Sequence, residues 1–389
     1  MFHINNLCCG MSAARFLGES EMSSHDKKKW LAVVGAIVVM GTTGLVMAED
    51  ASAPVAESAP ASASASAEAP SATAETTAPK VVAKPRPAEM MPLAQRAMML
   101  DLVNTGDHLL AVGEHGIVVV SNNGRNWAQV QTPVRSALTA VSFANEKDGW
   151  IVGHDATILH TIDGGRVWEL QNFKPELEKP YLDVLALDAN TAFAVGAYGL
   201  LSKTTDGGKT WSDVDAGAIR VGELHFNCIT KLSDGNLLIV GEQGTMGLSS
   251  DAGATWKKIT APYEGSFFGA VAYGTKGALI YGLRGNVFAS QDVAAGKWTK
   301  IDPGTVSTYF GGNILANGDL VIVGVNGDIK TVNPTTNAVS TYKVTHMVVD
   351  ANGTEKNDVV TSTLTAVVPF GDGLVMVGEQ GIQRLTKLQ

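Results

Sequence analysis

Three stretches of this chain repeat one pattern closely enough to limit what it can fold into. Val152 to Trp168 reads V-G-H-D-A-T-I-L-H-T-I-D-G-G-R-V-W, Val195 to Trp211 reads V-G-A-Y-G-L-L-S-K-T-T-D-G-G-K-T-W, and Val240 to Trp256 reads V-G-E-Q-G-T-M-G-L-S-S-D-A-G-A-T-W. In each, an apolar run ends in Gly, a two-residue tip follows, then an alternating segment, an Asp-Gly or Asp-Ala-Gly turn and a Trp. That is strand, tight turn, strand, second turn and the start of another strand. Weaker copies flank them. Val112 to Trp127 places Asn122 where the others have Asp, Tyr281 to Trp298 keeps the outline, and Val323 to Gly327 and Val377 to Gly381 keep the first half only.

The glycines Gly113, Gly153, Gly196, Gly241, Gly282, Gly324 and Gly378 are 40, 43, 45, 41, 42 and 54 residues apart. Seven units of about forty residues, each with room for four short strands, predict an all-β chain folded as a seven-bladed β-propeller. A solenoid of helix pairs can share this period, but these units lack helical periodicity and are rich in Gly, Thr and Val. The predicted inner strands are Leu100–Val103, Leu138–Phe143, Leu182–Leu187, Cys228–Leu232, Gly269–Tyr273, Gly312–Leu315 and Thr365–Val368. The seventh unit runs to the end of the chain without a fourth strand. An unpaired edge invites aggregation, so residues between Val81 and Leu93 are expected to complete it.

Four regions precede or make up the ring. Residues 1–21 carry no clear pattern. Residues 22–48 have the order of a signal sequence: Lys27, Lys28 and Lys29, an apolar stretch from Trp30 to Val46, then small residues up to Ala48. Cleavage there and retention as an anchor are both open, since 17 apolar residues almost span a bilayer. Either way the rest of the chain is exported. Residues 49–90 are Ala, Ser and Pro with scattered Glu and Thr; they cannot bury enough apolar surface to order themselves, and they give a tether of roughly 35 Å. Residues 91–389 form the propeller.

Charged residues are 17% and apolar residues 45%, with a net charge of −9. That balance argues against a nucleic-acid partner, which wants a basic face. Three cysteines, Cys8, Cys9 and Cys228, make no disulfide framework. Cys228, inside the repeats, reads as a buried structural thiol.

The turns Thr161-x-Asp163-x-Gly165-x-x-Trp168, Thr204-x-Asp206-x-Gly208-x-Thr210-Trp211 and Ser249-x-Asp251-x-Gly253-x-Thr255-Trp256 resemble the Asp box of sialidase-type (BNR) repeats. The pattern has a local cause. A short carboxylate accepts N–H groups within its own turn, the glycines take left-handed dihedrals and the Trp packs between sheets. Asp163, Asp206 and Asp251 are therefore structural. With seven V-G-x-x-G units and a signal sequence, the region from about residue 90 onward resembles the photosystem II stability and assembly factor family. That resemblance implies a non-enzymatic propeller that binds a membrane protein or complex, with an arginine-rich patch on its binding face.

On this face, the second-to-third-strand turns and the connections between blades meet around the channel. Candidate partner-binding residues there are Arg135, Arg220, Arg284, Tyr198, Phe267, Phe268 and Tyr309. Aromatics and arginines on loops suit protein contact. The longest connection, Thr341 to Thr363, is a further candidate, with Met347-Val348-Val349 able to form an extra strand or hairpin. The alternative is a sialidase-like glycoside hydrolase or a non-catalytic glycan binder. Hydrolysis needs three converging arginines, a Tyr/Glu pair and an acid/base Asp, and no Arg-Ile-Pro segment opens the propeller. The sequence supplies no catalytic, metal or cofactor motif, and His115, His154 and His225 lie in separate units without ligand spacing.

Overall fold

The computed structural model describes residues 83–349 and 355–388. The expected leader, the signal segment and nearly all of the tether lie outside them. Six four-stranded antiparallel sheets and one three-stranded sheet follow in chain order. Their inner strands are Met99–Asn104, Leu138–Phe143, Tyr181–Ala186, Phe226–Lys231, Phe267–Tyr273, Tyr309–Ile314 and Leu364–Phe370. Each stands beside the next, and the seventh stands beside the first, so the ring closes around a central channel. Seven apolar clusters fill the seven spaces between neighbouring blades. The second strands, such as Leu237–Gly241 and Leu320–Gly324, are buried along their whole length. Being covered on both faces, they read as continuous apolar runs rather than alternating ones.

The inner strands begin one to three residues earlier than expected in six of the seven blades, and one rule explains this. The first inner residue of each blade pairs with the Gly of its V-G pair: Met99 with Gly113, Leu138 with Gly153, Tyr181 with Gly196, Phe226 with Gly241, Phe267 with Gly282, Tyr309 with Gly324 and Leu364 with Gly378. A bulge follows at once in every case, which re-aims the second residue. A Cβ on any of these seven glycines would lie 2.0–2.3 Å from the carbonyl oxygen just before the inner strand. The Gly is therefore needed for close approach, since its φ is an extended value (−164° at Gly241).

The Asp-box turns form as expected. The Thr161 hydroxyl donates to Asp163 Oδ1 at 2.8 Å and accepts the Gly165 N–H, while Asp163 accepts the N–H groups of Arg166 and Val167. Asp206 and Asp251 repeat this with Thr210 and Thr255. Trp168 and Trp256 are buried, and Trp211 is half-buried with its indole donating to Gln171. In the first blade the Asp position belongs to Asn123, not Asn122. Asn123 Oδ1 accepts the N–H groups of Arg125 and Asn126, because this turn is one residue shorter before its Gly.

Hydrogen bonds to Asp206 and Asp251 hold both carboxyls down at about 2. Such groups stabilise the fold above the ordinary carboxylate pKa and lose that contribution as pH falls through their folded values. Wild type should therefore lose stability between pH 4 and 2. An Asp206→Ala, Asp251→Ala protein, less stable at pH 5, should lose less over that interval in acid titrations followed by circular dichroism.

Closure of the ring differs from the expectation. Among the described residues the seventh sheet has three strands, ending with Gly381–Leu385, and the segment before the ring does not pair with them. That segment lies along the outer strand of the first blade instead. The Ala88 N–H donates to Thr132, Gln131 donates to the Ala88 carbonyl, and Gln129 donates to the Glu89 carbonyl. Ala94 enters the apolar cluster between the first and seventh blades, and Gln95 and Arg96 pack on Gly381. The Thr365 hydroxyl joins the same two blades by donating to the Met99 carbonyl at 3.0 Å. Side-chain packing, in place of a shared sheet, joins the ends.

Candidate functional site

The upper face carries the second-to-third-strand turns and the blade connections. Five of these seven turns are short 3-10 turns; in six of the seven a tip residue has positive φ, among them His115, Tyr198, Gln243, Arg284 and Asn326. The glycine after such a tip is left-handed and close-packed: a Cβ on Gly285 (φ +68°) would lie 2.2 Å from the Thr305 carbonyl. The tip side chain is thereby fixed outward. In the three V-G-E-x-G units the Glu points back. Glu114, Glu242 and Glu379 each accept the N–H of the residue before their own inner strand, Met98, His225 and Thr363. These acidic residues hold the turns, a role that the recurrence of Glu after V-G could have signalled.

The three arginine candidates do not converge. Arg135 pairs with Glu89 at 2.6 Å, so the segment before the ring holds it. Arg220 is a brace: it donates to the carbonyls of Gly199 and Val214 and to Asp213 at 3.1 Å. Arg284 stands exposed at its turn tip. Arg220→Ala should therefore lower stability by about 1–2 kcal/mol, from loss of hydrogen bonds made by a charged group. Arg284→Ala should leave it unchanged. Thermal unfolding of the two variants checks both.

The aromatic candidates divide as well. Phe267 and Tyr309, expected on this face, are wholly buried. They are the first residues of inner strands, seated opposite the V-G glycines. Phe267 packs edge-on against Tyr263 and Phe288. Tyr309 donates to Asp328 Oδ2 at 2.7 Å; burial, and then that carboxylate, push its phenol well up. Neither reaches a partner. Phe268 is the bulge residue after Phe267 and does reach the surface, half-buried against Phe310 with ring centres 5.3 Å apart.

Tyr198 is half-buried at its tip, edge-on to His225 at 5.1 Å, with the Lys179 ammonium 5.6 Å from its ring centre. Burial, and then the carboxylates of Glu223, Glu242 and Glu178, push its phenol up. The long connection forms the expected hairpin, Thr345–Val349 paired with Glu355–Val359. Beside the fourth blade a shallow recess of about 450 Å³ opens between Gln243, Tyr263 and Glu264.

The exposed apolar side chains Leu177, Val221, Val306 and Val359 all belong to blade connections of this face, Val306 being 81% exposed. The opposite face exposes Ile162 and Val167 on one Asp-box turn and Ile314 at the end of the sixth inner strand, and the segment before the ring exposes Met90, Met91 and Leu93. Cys228 lies in the channel wall, where burial and then Asp183 push its thiol well up, so it is a poor nucleophile. Among the described residues no group of three or more His, Cys, Asp or Glu side chains could hold a metal ion.

Comparison with known proteins adds to this geometry. The family model described as photosynthesis system II assembly factor YCF48 matches residues 119–381, more than half of the chain. The photosystem II assembly lipoprotein Ycf48 of a Picosynechococcus species is 32% identical over 162 residues, covering 30% of this chain and 46% of that protein. The chloroplastic photosystem II stability/assembly factor HCF136 of Oryza sativa subsp. japonica is 24% identical over 182 residues, 40% of this chain and 43% of that protein. The matched regions thus span less than half the length of these relatives. Among solved structures, YCF48 bound to D1 peptide superposes with a TM-score of 0.58 at 17% identity, covering 77% of this chain and 96% of that one. YCF48 from Cyanidioschyzon merolae gives 0.54 at 17% identity, with 76% and 97% covered. At that identity the structural likeness speaks for the fold alone.

Proposed function

We propose, from the premise that this chain belongs to the photosynthesis system II assembly factor family, that it is a non-enzymatic assembly or accessory factor that binds a membrane protein through its upper face. The observation that carries the reading is the set of exposed apolar side chains on four blade connections of that face, Leu177, Val221, Val306 and Val359, joined by Phe268 with Phe310 and by the outward Tyr198 and Arg284. Apolar and aromatic groups on rigid turns give contact area at little entropic cost. The relative solved with a D1 peptide bears a name consistent with this kind of partner.

Export supports the same reading, because the predicted signal segment sends the propeller across a membrane; relatives named as lipoprotein or chloroplastic agree with a compartment of that kind. The glycoside hydrolase alternative is disfavoured by geometry. Arg135, Arg220 and Arg284 sit on separate blades, and the first two are held by Glu89 and by Asp213 with two carbonyls. They do not form a carboxylate clamp.

The test is in-cell crosslinking and pull-down of the tagged full chain beside an Arg284→Ala, Tyr198→Ala, Phe268→Ala variant. All three residues stand at the surface, so the variant should keep its circular dichroism spectrum. Wild type is expected to capture a membrane protein that the variant loses. If wild type captures none, or the folded variant captures the same protein equally well, this assignment of function to the face fails.

A further inference from the structure

The channel wall holds a set of side chains that the reading above leaves unused. The third residue of each inner strand, just after the bulge, turns toward the next blade. In the first and third blades it is Asp101 and Asp183. Asp101 accepts the N–H of Leu102 and, across the wall, that of Val141; Asp183 accepts those of Val184 and Ile229. All four bonds are 2.8 Å. In the fourth blade the residue is Cys228. In the fifth it is Gly269, and Tyr281 from the second strand folds across it: a Cβ on Gly269 would lie 2.3 Å from the Tyr281 hydroxyl.

Tyr281 therefore brings its hydroxyl into the same layer as Asp101, Asp183 and Cys228, and the four groups act on one another electrostatically. Tyr281 is 3% exposed, and its hydroxyl has no hydrogen-bond partner among the described residues. Among the described residues no lysine, arginine or histidine forms an ion pair with either carboxylate. Two half-buried carboxylates and a hydroxyl without a protein partner thus share one layer of the channel wall without a counter-ion among the described residues, an arrangement that costs free energy unless a proton or a cation joins it.

One residue above this layer the bulges form a collar. Leu100, Leu182, Phe268 and Phe310 are its half-buried apolar members. Thr139, Asn227 and Thr365 are its polar members, and each is already committed to a backbone carbonyl of the following blade. An apolar collar above a negative layer matches a cation carried on an aliphatic stem. A metal ion fits poorly, because among the described residues no three ligands meet and each carboxylate already accepts two N–H groups.

We propose that the upper mouth of the channel takes a primary alkylammonium group, such as a lysine side chain, with its methylenes in the collar of Leu100, Leu182, Phe268 and Phe310 and its ammonium in the layer of Asp101, Asp183 and Tyr281. The lysine form rests on the reading that a polypeptide partner sits on the upper face. The groups that set the pH response are the two carboxylates, Cys228 and Tyr281. Burial pushes Asp101 up to about 7 and Asp183 to about 6, so the layer is negative at pH 8 and neutral at pH 5.

Calorimetric titration of the full chain tests this with n-pentylammonium chloride, with 1-pentanol as control, and with the peptide acetyl-Ala-Lys-Ala-amide beside its acetyl-lysine counterpart. Wild type at pH 8 is expected to take up pentylammonium but not pentanol, at least tenfold more weakly at pH 5. Tyr281→Phe, which keeps the ring and removes only the hydroxyl, should weaken uptake several-fold, and Asp183→Asn more. Uptake of the lysine peptide but not its acetylated form assigns the group to a protein partner; uptake of pentylammonium alone assigns it to a free amine. No saturable uptake at pH 8, equal uptake of pentanol, or uptake indifferent to both pH and Tyr281→Phe overturns the proposal. Pentylammonium uptake by a protein that captures no membrane protein in cells would leave this site standing and remove the partner reading alone.

Discussion

Gly241→Ala is expected to destabilise the propeller by about 2–4 kcal/mol, the upper range for overpacking a site that cannot relax. The added Cβ meets the His225 carbonyl oxygen at 2.1 Å and the Phe226 Cα at 3.3 Å. Both are backbone atoms, and Phe226 is itself fully buried between the third and fourth blades. Relief requires moving the inner strand away from the second strand, which breaks the Phe226–Gly241 pairing.

The control is Gly274→Ala. Gly274 has φ +57° but nothing within 4 Å of a built Cβ, so its cost is backbone strain alone, about 1 kcal/mol. Denaturant unfolding of the two variants separates the effects. If Gly241→Ala unfolds no earlier than Gly274→Ala, close approach is not what the seven V-G glycines provide.

The second large effect is in the pH dependence of stability. Asp101 and Asp183 have folded pKa values of about 7 and about 6, raised by burial from an ordinary 3.8. A carboxyl raised in the folded state makes the native protein bind more protons than the unfolded chain between the two values. Its contribution is fully present below the unfolded value and is lost as pH rises through the folded one. Each carboxyl is then worth on the order of 1–2 kcal/mol in favour of pH 4 over pH 8, after discounting for the water that reaches the channel wall.

His154 and His160 act in the opposite sense. Burial lowers both, so their contribution is lost as pH falls below the ordinary histidine range. The comparison that isolates the carboxyls is therefore wild type against Asp183→Asn at each pH, since the histidines cancel. Asp183→Asn should gain on wild type by about 1–2 kcal/mol between pH 4 and pH 8 in denaturant titrations. Its uniform cost, from an amide N–H facing a backbone N–H, does not change with pH. A pH-independent difference between the two proteins would show that Asp183 is not held up by its surroundings.

The sequence by itself determined the number of blades, the order of strands within each and the Asp-box turns. These depend on short-range patterns. Four strands and their turns fit within about forty residues, and a carboxylate that accepts N–H groups from its own turn needs no distant partner. Position in a local pattern also put Tyr198, Arg284 and Phe268 at the surface. The tertiary structure decided what depends on residues far apart in the chain. Phe267 and Tyr309 read as loop aromatics because a bulge shifts the start of the inner strand, and only the pairing with Gly282 and Gly324 shows them turned inward. Asn123 displaced Asn122 through a turn one residue shorter. Arg135 and Arg220 are ordinary loop arginines in sequence; the docking of the segment before the ring brings Glu89 to the first, and the folding of the third blade brings Asp213 and the Gly199 carbonyl to the second. Asp101, Asp183 and Tyr281 come from three separate blades and carry no shared motif. What brings them into one layer is the closing of the ring, and no segment of the chain records that closure locally.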